Sequence, residues 1–265
     1  MSVLQRTRHE PISLALRVIS LIRSLFVLFV SENIFLWAYL LQGRRNPQAE
    51  VEGPYYVLRA PNRQLEDGKA ILVTADELKE FGPYLVTITV KSPHGDPVPH
   101  TMFDWWQADT AGNYSMTTYG MRGKFTTDAN GRVEVLTVAP GKYGPPGYKR
   151  AGHFHLIVSE NEQRKWEPLT TQLYVCKAND TKEMGSDFIN LVRPARPNNM
   201  LQSWSIPSDG EQFMEFPPLS ADDKETNDSI QWWNKRLAGI GQDVKVVAGA
   251  ETEIHMNPPP RWFFF

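Results

Sequence analysis

Tyr84-Leu-Val-Thr-Ile-Thr-Val-Lys91 alternates β-branched apolar side chains with polar ones. A period of two marks a strand with Val86, Ile88 and Val90 on one face. The chain on either side is cut the same way. Ser92–Pro99 is turn chemistry, Thr101–Ala108 is an aromatic strand, and Asp109-Thr-Ala-Gly-Asn113 is a turn that delivers Tyr114. Lys124–Thr127 and Arg132–Val138 flank an Asp128-Ala-Asn-Gly131 turn and read as a hairpin. Gly152–Ser159 and Leu169–Cys176 supply two more strands. Upstream, Val51–Val57 turns into a short aromatic strand, and residues 65–82 are polar and loop-like with a helical turn at Ala75–Phe81. Many short strands joined by Gly, Pro, Asn and Asp turns predict a mainly β protein, an antiparallel β-sandwich. Its candidate core is Val86, Ile88, Val90, Phe103, Trp105, Val133, Val135, Phe154, Ile157 and Leu173.

A chain of 265 residues can bury one large core or two small ones. A formal net charge of -2 argues against a general nucleic-acid binder. Cys176 is the only cysteine, so neither an intrachain disulfide nor a cysteine-based metal cluster is available, which fits a cytoplasmic location.

The two ends differ from the middle. Residues 1–50 read as a basic and apolar helical arm with its linker, residues 51–176 as the sandwich, and residues 177–265 as wrapping loops, a helix and a tail. The apolar run Ile12–Leu41 is interrupted by Arg17, Arg23, Glu32 and Asn33. It has three readings: a helical arm packed on the domain or on a second subunit, a helix lying on a membrane surface, or a membrane anchor. The charged and polar pair in its middle weighs against spanning. Ala221–Ile240 reads as a C-terminal helix capped by Ser220, and Asp243–Met256 as a strand pair. The tail Pro258–Phe265 is apolar enough to dock on a groove or a partner.

Chemistry concentrates in Pro140-Gly-Lys-Tyr-Gly-Pro-Pro-Gly-Tyr-Lys-Arg-Ala-Gly-His-Phe-His155. His153 and His155 are two apart and followed by Leu156-Ile157-Val158, so they share one face of a strand. Two imidazoles on one face are half of a metal site, or else two polar side chains on a wet face.

Six motifs in order decide between these. They are Gly53-Pro-Tyr-Tyr56, Asp104-Trp-Trp-Gln-Ala-Asp-Thr-Ala-Gly-Asn-Tyr-Ser115, Arg122-Gly-Lys-Phe-Thr-Thr-Asp-Ala-Asn-Gly131, Tyr143, Arg150-Ala-Gly-His-Phe-His155 and Leu169-Thr-Thr-Gln172. Together they resemble the intradiol ring-cleavage dioxygenases, non-haem Fe(III) enzymes of catechol breakdown built on an iron-bearing β-sandwich. The resemblance covers roughly residues 51–176 and implies Fe(III) held by Tyr114, Tyr143, His153 and His155. It puts Arg150 and Gln172 against the substrate, with Tyr143 the ligand that leaves and takes a substrate proton. Tyr56 is the other candidate for the first tyrosine, with a core or pocket-wall role as its alternative.

The implied reaction inserts both atoms of O2 into a catechol-type diol and opens the ring between the hydroxylated carbons to a cis,cis-muconate-type diacid. Arg-Ala-Gly-His-Phe-His departs from the usual Arg-Pro-Ala-His-Ile-His, and the loop from Tyr143 to His153 is short for catechol or hydroxyquinol enzymes. That loop bears on which catechol is taken. Family members of the catechol type carry a helical dimerisation domain at the N-terminus, and Ile12–Leu41 is a candidate short version in a homodimer. Three other readings remain: a sandwich with a degenerate, non-catalytic metal site, a membrane-associated interaction protein, and an Fe(II) oxygenase with a His/carboxylate site.

Overall fold

The structure is a computed structural model and describes residues 9–32, 46–144, 149–160, 165–176, 197–206 and 216–259. The rest of the apolar run beyond Glu32, the Pro145–Tyr148 loop, most of the wrapping segment and the end of the tail lie outside the described residues.

Helix α1 (Leu14–Phe26) is capped by the Ser13 hydroxyl, which accepts from the Leu16 amide, and it ends in a π-helical turn, Val27–Ser31. There follow β1 (Gln64–Glu66), β2 (Lys69–Ile71), α2 (Ala75–Phe81), β3 (Tyr84–Lys91), β4 (Met102–Gln107), β5 (Arg122–Thr126), β6 (Arg132–Thr137), β7 (His153–Ser159), β8 (Leu169–Tyr174), β9 (Gln202–Ser205), α3 (Lys224–Gly239) and β10 (Ala248–His255). Two sheets face each other: a six-stranded one ordered β1-β2-β6-β3-β10-β9 and a four-stranded one ordered β5-β4-β7-β8. Val86, Ile88, Val90, Val133 and Val135 from the first sheet meet Phe103, Trp105, Phe154, Leu156 and Leu173 from the second in one core. The sandwich and most of its expected core are as the alternation predicts. Ile157 is the exception. Its neighbours Phe154, Leu156 and Val158 take the inward parity of β7, so Ile157 points outward with the histidines.

Four local expectations change. Residues 64–71 form the strands β1 and β2 rather than loop, and α2 is closed by a capping box between Thr74 and Glu77. β5 and β6 are not a hairpin: the Asp128–Gly131 turn passes the chain from one sheet to the other, so Phe125 and Val133 reach the core from opposite sides. Helix α3 begins after Asp223, whose carboxylate accepts from the Thr226 amide, not after Ser220. Residues 243–256 give one strand, β10, which runs parallel to β3 and antiparallel to β9. The last third of the chain therefore supplies sheet strands as well as a covering helix. The outer face of the six-stranded sheet is closed by α3, through Ile230, Trp233 and Leu237 against Ile71, Leu85 and Leu136.

Candidate active site

Strand parity makes the site. Because Phe154 and Leu156 enter the core, His153 and His155 project from the outer face of the four-stranded sheet. Across the ladder His155 lies opposite Trp106 on β4 and Gln172 on β8, and His153 lies opposite Tyr174. Trp106 stacks on the His155 ring at 4.9 Å. Both imidazoles are 1% exposed, because residues 46–58 and the turns carrying Tyr114 and Tyr143 cover this face.

The cover is assembled backbone to backbone. The Gly141 amide donates to the Asp109 carbonyl (2.8 Å), tying the turn before Tyr114 to the turn before Tyr143. The Arg150 amide donates to the Tyr143 carbonyl (2.8 Å), so Tyr143 and Arg150 are paired before β7 begins. Gly152 permits this approach, since a Cβ there would lie 2.0 Å from the Pro140 carbonyl oxygen. Arg122 fastens the other side. It is buried, its guanidinium donates to the carbonyls of Tyr55 (2.6 Å) and Ser115 (3.0 Å), and burial lowers its pKa to about 10.

Four donor atoms converge. Tyr114 Oη is 3.1 Å from His155 Nε2, the two Nε2 atoms are 3.1 Å apart, and Tyr143 Oη is 3.4 Å from His153 Nε2. His153 Nδ1 is 2.7 Å from the Ala151 carbonyl oxygen, which can only accept, so the proton is assigned to Nδ1 and a bare lone pair is left on Nε2. Burial, then the Arg150 charge, hold His153 well below the usual histidine range. Burial, then His153 and Arg150, do the same to His155. Burial, then the Tyr143 phenol, push Tyr114 well above the usual tyrosine value against the pull of Arg150. Two neutral imidazoles and a phenol that ionises only with help are the donor set a cation organises. Donors about 2.1 Å from one ion are themselves about 3.0–3.4 Å apart at ordinary bond angles, so these residues fit a single metal ion. Among the described residues no third His, Cys, Asp or Glu joins the imidazoles. Among the described residues the side-chain oxygens beside the two Nε2 atoms are phenolic, and the His/carboxylate alternative finds no carboxylate there.

Arg150, 3% exposed, spans the edge of this cluster. Nη1 donates to Tyr143 Oη (2.9 Å) and lies 3.3 Å from His153 Nε2, while Nη2 donates to Gln172 Oε1 (2.8 Å) and Tyr174 Oη (3.2 Å). Gln172 Nε2 donates to the Val51 carbonyl at 2.8 Å. All six residues singled out from the sequence thus stand together. Tyr56 does not join them: it is buried, its hydroxyl donates to Asp104 (2.8 Å) and its ring lies T-shaped against Trp106. Sequence reasoning missed Tyr174 and Tyr55. Tyr174 shares the strand parity of Gln172 and could have been found that way. Tyr55 stacks on Tyr114 at 4.4 Å, a pairing of distant loops with no local signal. His9 is half-buried and bonded to Glu77 at 2.8 Å.

The sequence profile of the Dioxygenase family matches residues 51–216, more than half of the chain. A catechol 1,2-dioxygenase of Acinetobacter lwoffii is 31% identical over 147 residues, 47% of this chain and 45% of that protein. A chlorocatechol 1,2-dioxygenase of Pseudomonas putida is 28% identical over 165 residues, 54% of this chain and 60% of that protein. The matched stretch thus spans about half the length of these curated relatives. A catechol 1,2-dioxygenase mutant from Acinetobacter radioresistens shares the fold, with a TM-score of 0.62 and 18% identity, covering 92% of this chain and 76% of that one. With the six motifs in order and four donors drawn together on one sheet face, this chain belongs to the intradiol ring-cleavage dioxygenase family.

Proposed function

We propose that the chain is a non-haem Fe(III) intradiol dioxygenase. It takes a catechol-type diol and O2 and yields a cis,cis-muconate-type diacid, with both oxygen atoms incorporated. The observation that carries this reading is the run of four donor atoms Tyr114 Oη, His155 Nε2, His153 Nε2 and Tyr143 Oη, each 3.1–3.4 Å from the next. These four would hold the metal. When bound, Fe(III) supplies a hard Lewis acid that makes a chelated catecholate reactive toward O2.

The protein's own part follows from its charges. His153 and His155 stay neutral, so their lone pairs remain available across the physiological pH range. The two phenols let the pocket keep a constant charge. As a catechol gives up its two protons, Tyr143 Oη would accept one and a hydroxide leaving the pocket as water would take the other, while Tyr114 stays ionised. No uncompensated charge is then left in a buried pocket. Tyr143 suits this role because it is only partly buried and stands at the lip of the cluster beside Arg150. Arg150, held from behind by Gln172 and Tyr174, keeps a fixed positive charge where negative charge develops on the substrate.

The direct test is oxygen uptake by the ferric-loaded protein with catechol, hydroxyquinol and protocatechuate. One O2 consumed per diol, a ring-opened diacid and a visible tyrosinate absorption band are expected. Absence of the band together with no turnover of any of the three overturns the reading. A second reading, a membrane-associated binding protein with a non-catalytic metal site, draws on α1 and its π-helical turn. Nine large apolar side chains from Leu14 to Val30 are exposed there, and Leu14–Ser31 is long and apolar enough to cross a membrane. We read the chain as a cytoplasmic homodimer that covers this face with a second copy. Light scattering for the dimer and vesicle sedimentation for the membrane separate the two.

A further inference from the structure

Helix α1 and the π-helical turn that follows it are apolar outside and polar inside. The side turned to the domain carries Ser20, Ser24, Arg23 and Glu32, the reverse of an ordinary surface helix. Those polar groups converge on the short segment from Glu52 to Leu58. Arg23 forks onto the Glu52 carboxylate, with Nη1–Oε1 at 2.5 Å and Nη2–Oε2 at 3.0 Å. Glu32 Oε1 accepts from the Glu52 amide at 2.8 Å. The Ser24 hydroxyl donates to the Tyr56 carbonyl, and the Leu58 amide donates to the Ser20 hydroxyl. Glu52 is therefore gripped at both its side chain and its backbone.

The clamped segment presses on the candidate metal site. Gly53 adopts φ +79, and a Cβ there would stand 3.2 Å from His155 Cε1, so the backbone lies against the imidazole edge. A second route uses rings. The Arg23 guanidinium lies 4.4 Å over Tyr56, Tyr56 meets Trp106 edge-on at 5.0 Å, and Trp106 stacks flat on His155 at 4.9 Å. His155 Nδ1 is buried with no hydrogen bond of good geometry and with the Glu52 backbone as a polar neighbour, so the placing of Glu52 and the packing around it set the ring's orientation.

We propose that Arg23 and Glu32 are positioning residues for the metal site: by clamping Glu52 they set the Glu52-Gly53 backbone and the Tyr56–Trp106 ring pair that hold His155 in its ligating orientation. The inference rests on the metal reading above. It makes α1 part of the site although neither residue reaches the donor atoms. Groups that orient a metal-bound histidine typically change metal affinity by about 10–100-fold when removed.

The test uses the full chain with Arg23→Gln, Arg23→Lys and Glu32→Ala, and Ile22→Ser on the outward face as control. Metal affinity of the apoprotein, the ferric absorption band and the His155 ring signals in NMR spectra of the metal-free protein are compared. Arg23→Gln and Glu32→Ala are expected to weaken metal binding about tenfold, shift the visible band and broaden or move the His155 signals. Arg23→Lys should recover part of each change, and Ile22→Ser none of them. Unchanged His155 signals in both clamp variants overturn the proposal, whether or not iron binds. A wild-type protein that takes no iron yet shows the NMR response overturns the metal reading and keeps the clamp. If Arg23→Gln fails to fold, Glu32→Ala carries the same comparison.

Discussion

Two buried polar clusters lie on the outer faces of the two sheets, and they are built to opposite ends. On the six-stranded sheet, Glu134 of β6 is enclosed by donors. Lys69 Nζ (2.6 Å), Ser229 Oγ (2.8 Å) and Trp233 Nε1 (2.8 Å) all reach its carboxylate, and Arg132 does as well. On the four-stranded sheet, two neutral imidazoles and two phenols turn acceptor atoms toward one another. The first cluster is complete: an anion meets its cations and fastens α3 to the sheet. The second, on the reading proposed above, is complementary to a cation held by two phenol oxygens and two imidazole nitrogens. Polar burial alone does not mark a functional site. What distinguishes the second is convergence of four potential ligand atoms with no carboxylate among them, where the first pairs an anion with its donors.

The largest effect should come from emptying the second cluster. His155→Ala is expected to abolish the visible band and reduce turnover more than the roughly 10–100-fold seen when groups orienting a metal-bound histidine are lost, with thermal stability little changed. Elemental analysis and a catechol assay check it. Glu134→Ala should do the reverse, costing about 3–5 kcal/mol of stability by stranding buried donors while leaving metal affinity of the folded fraction intact. Urea unfolding measures the loss.

The same carboxyl gives a pH signature. Burial pushes Glu134 up, but Lys69, then Ser229 and Arg132, outweigh it and leave it below the usual range. A folded-state value below the unfolded one means this stabilisation is present above the ordinary glutamate pKa of about 4.3 and is lost as pH falls through the lower folded value. The wild-type advantage over Glu134→Gln should therefore shrink on acidification below that range, as followed by the urea midpoint.

Arg150→Gln should keep the absorption band and lower kcat by about a hundredfold, the scale seen when one charge-stabilising donor is removed. A wild-type kcat would move Arg150 out of the reaction. Tyr174→Phe is the finest probe. It removes one hydroxyl from the Arg150–Gln172 network and should cost about 1 kcal/mol in stability with only a small change in kcat.

What the sequence told in advance depended on how local the cause was. Alternation on residues 84–91 and the His-x-His spacing are strictly local, and both translated directly into strand faces. Tyr114 and Tyr143 were legible only through resemblance, because nothing near either phenol says that two turns will be laid against each other. The Asp128–Gly131 turn has good turn chemistry, yet whether it makes a hairpin or a corner depends on which sheet accepts Arg132–Thr137. The inward polarity of α1 was hidden for the same reason. A sequence shows that serines, an arginine and a glutamate interrupt an apolar run, not that their partners lie in residues 52–58.

The parallel seating of β10 between β3 and β9 has a consequence for biogenesis. Until Ala248–His255 has left the ribosome, β3 and β9 each offer a bare row of amides and carbonyls to any strand nearby. Nascent chains should accordingly stay vulnerable to misassembly until that strand has emerged, and a truncation before Ala248 should collect in inclusion bodies rather than merely lose a little stability.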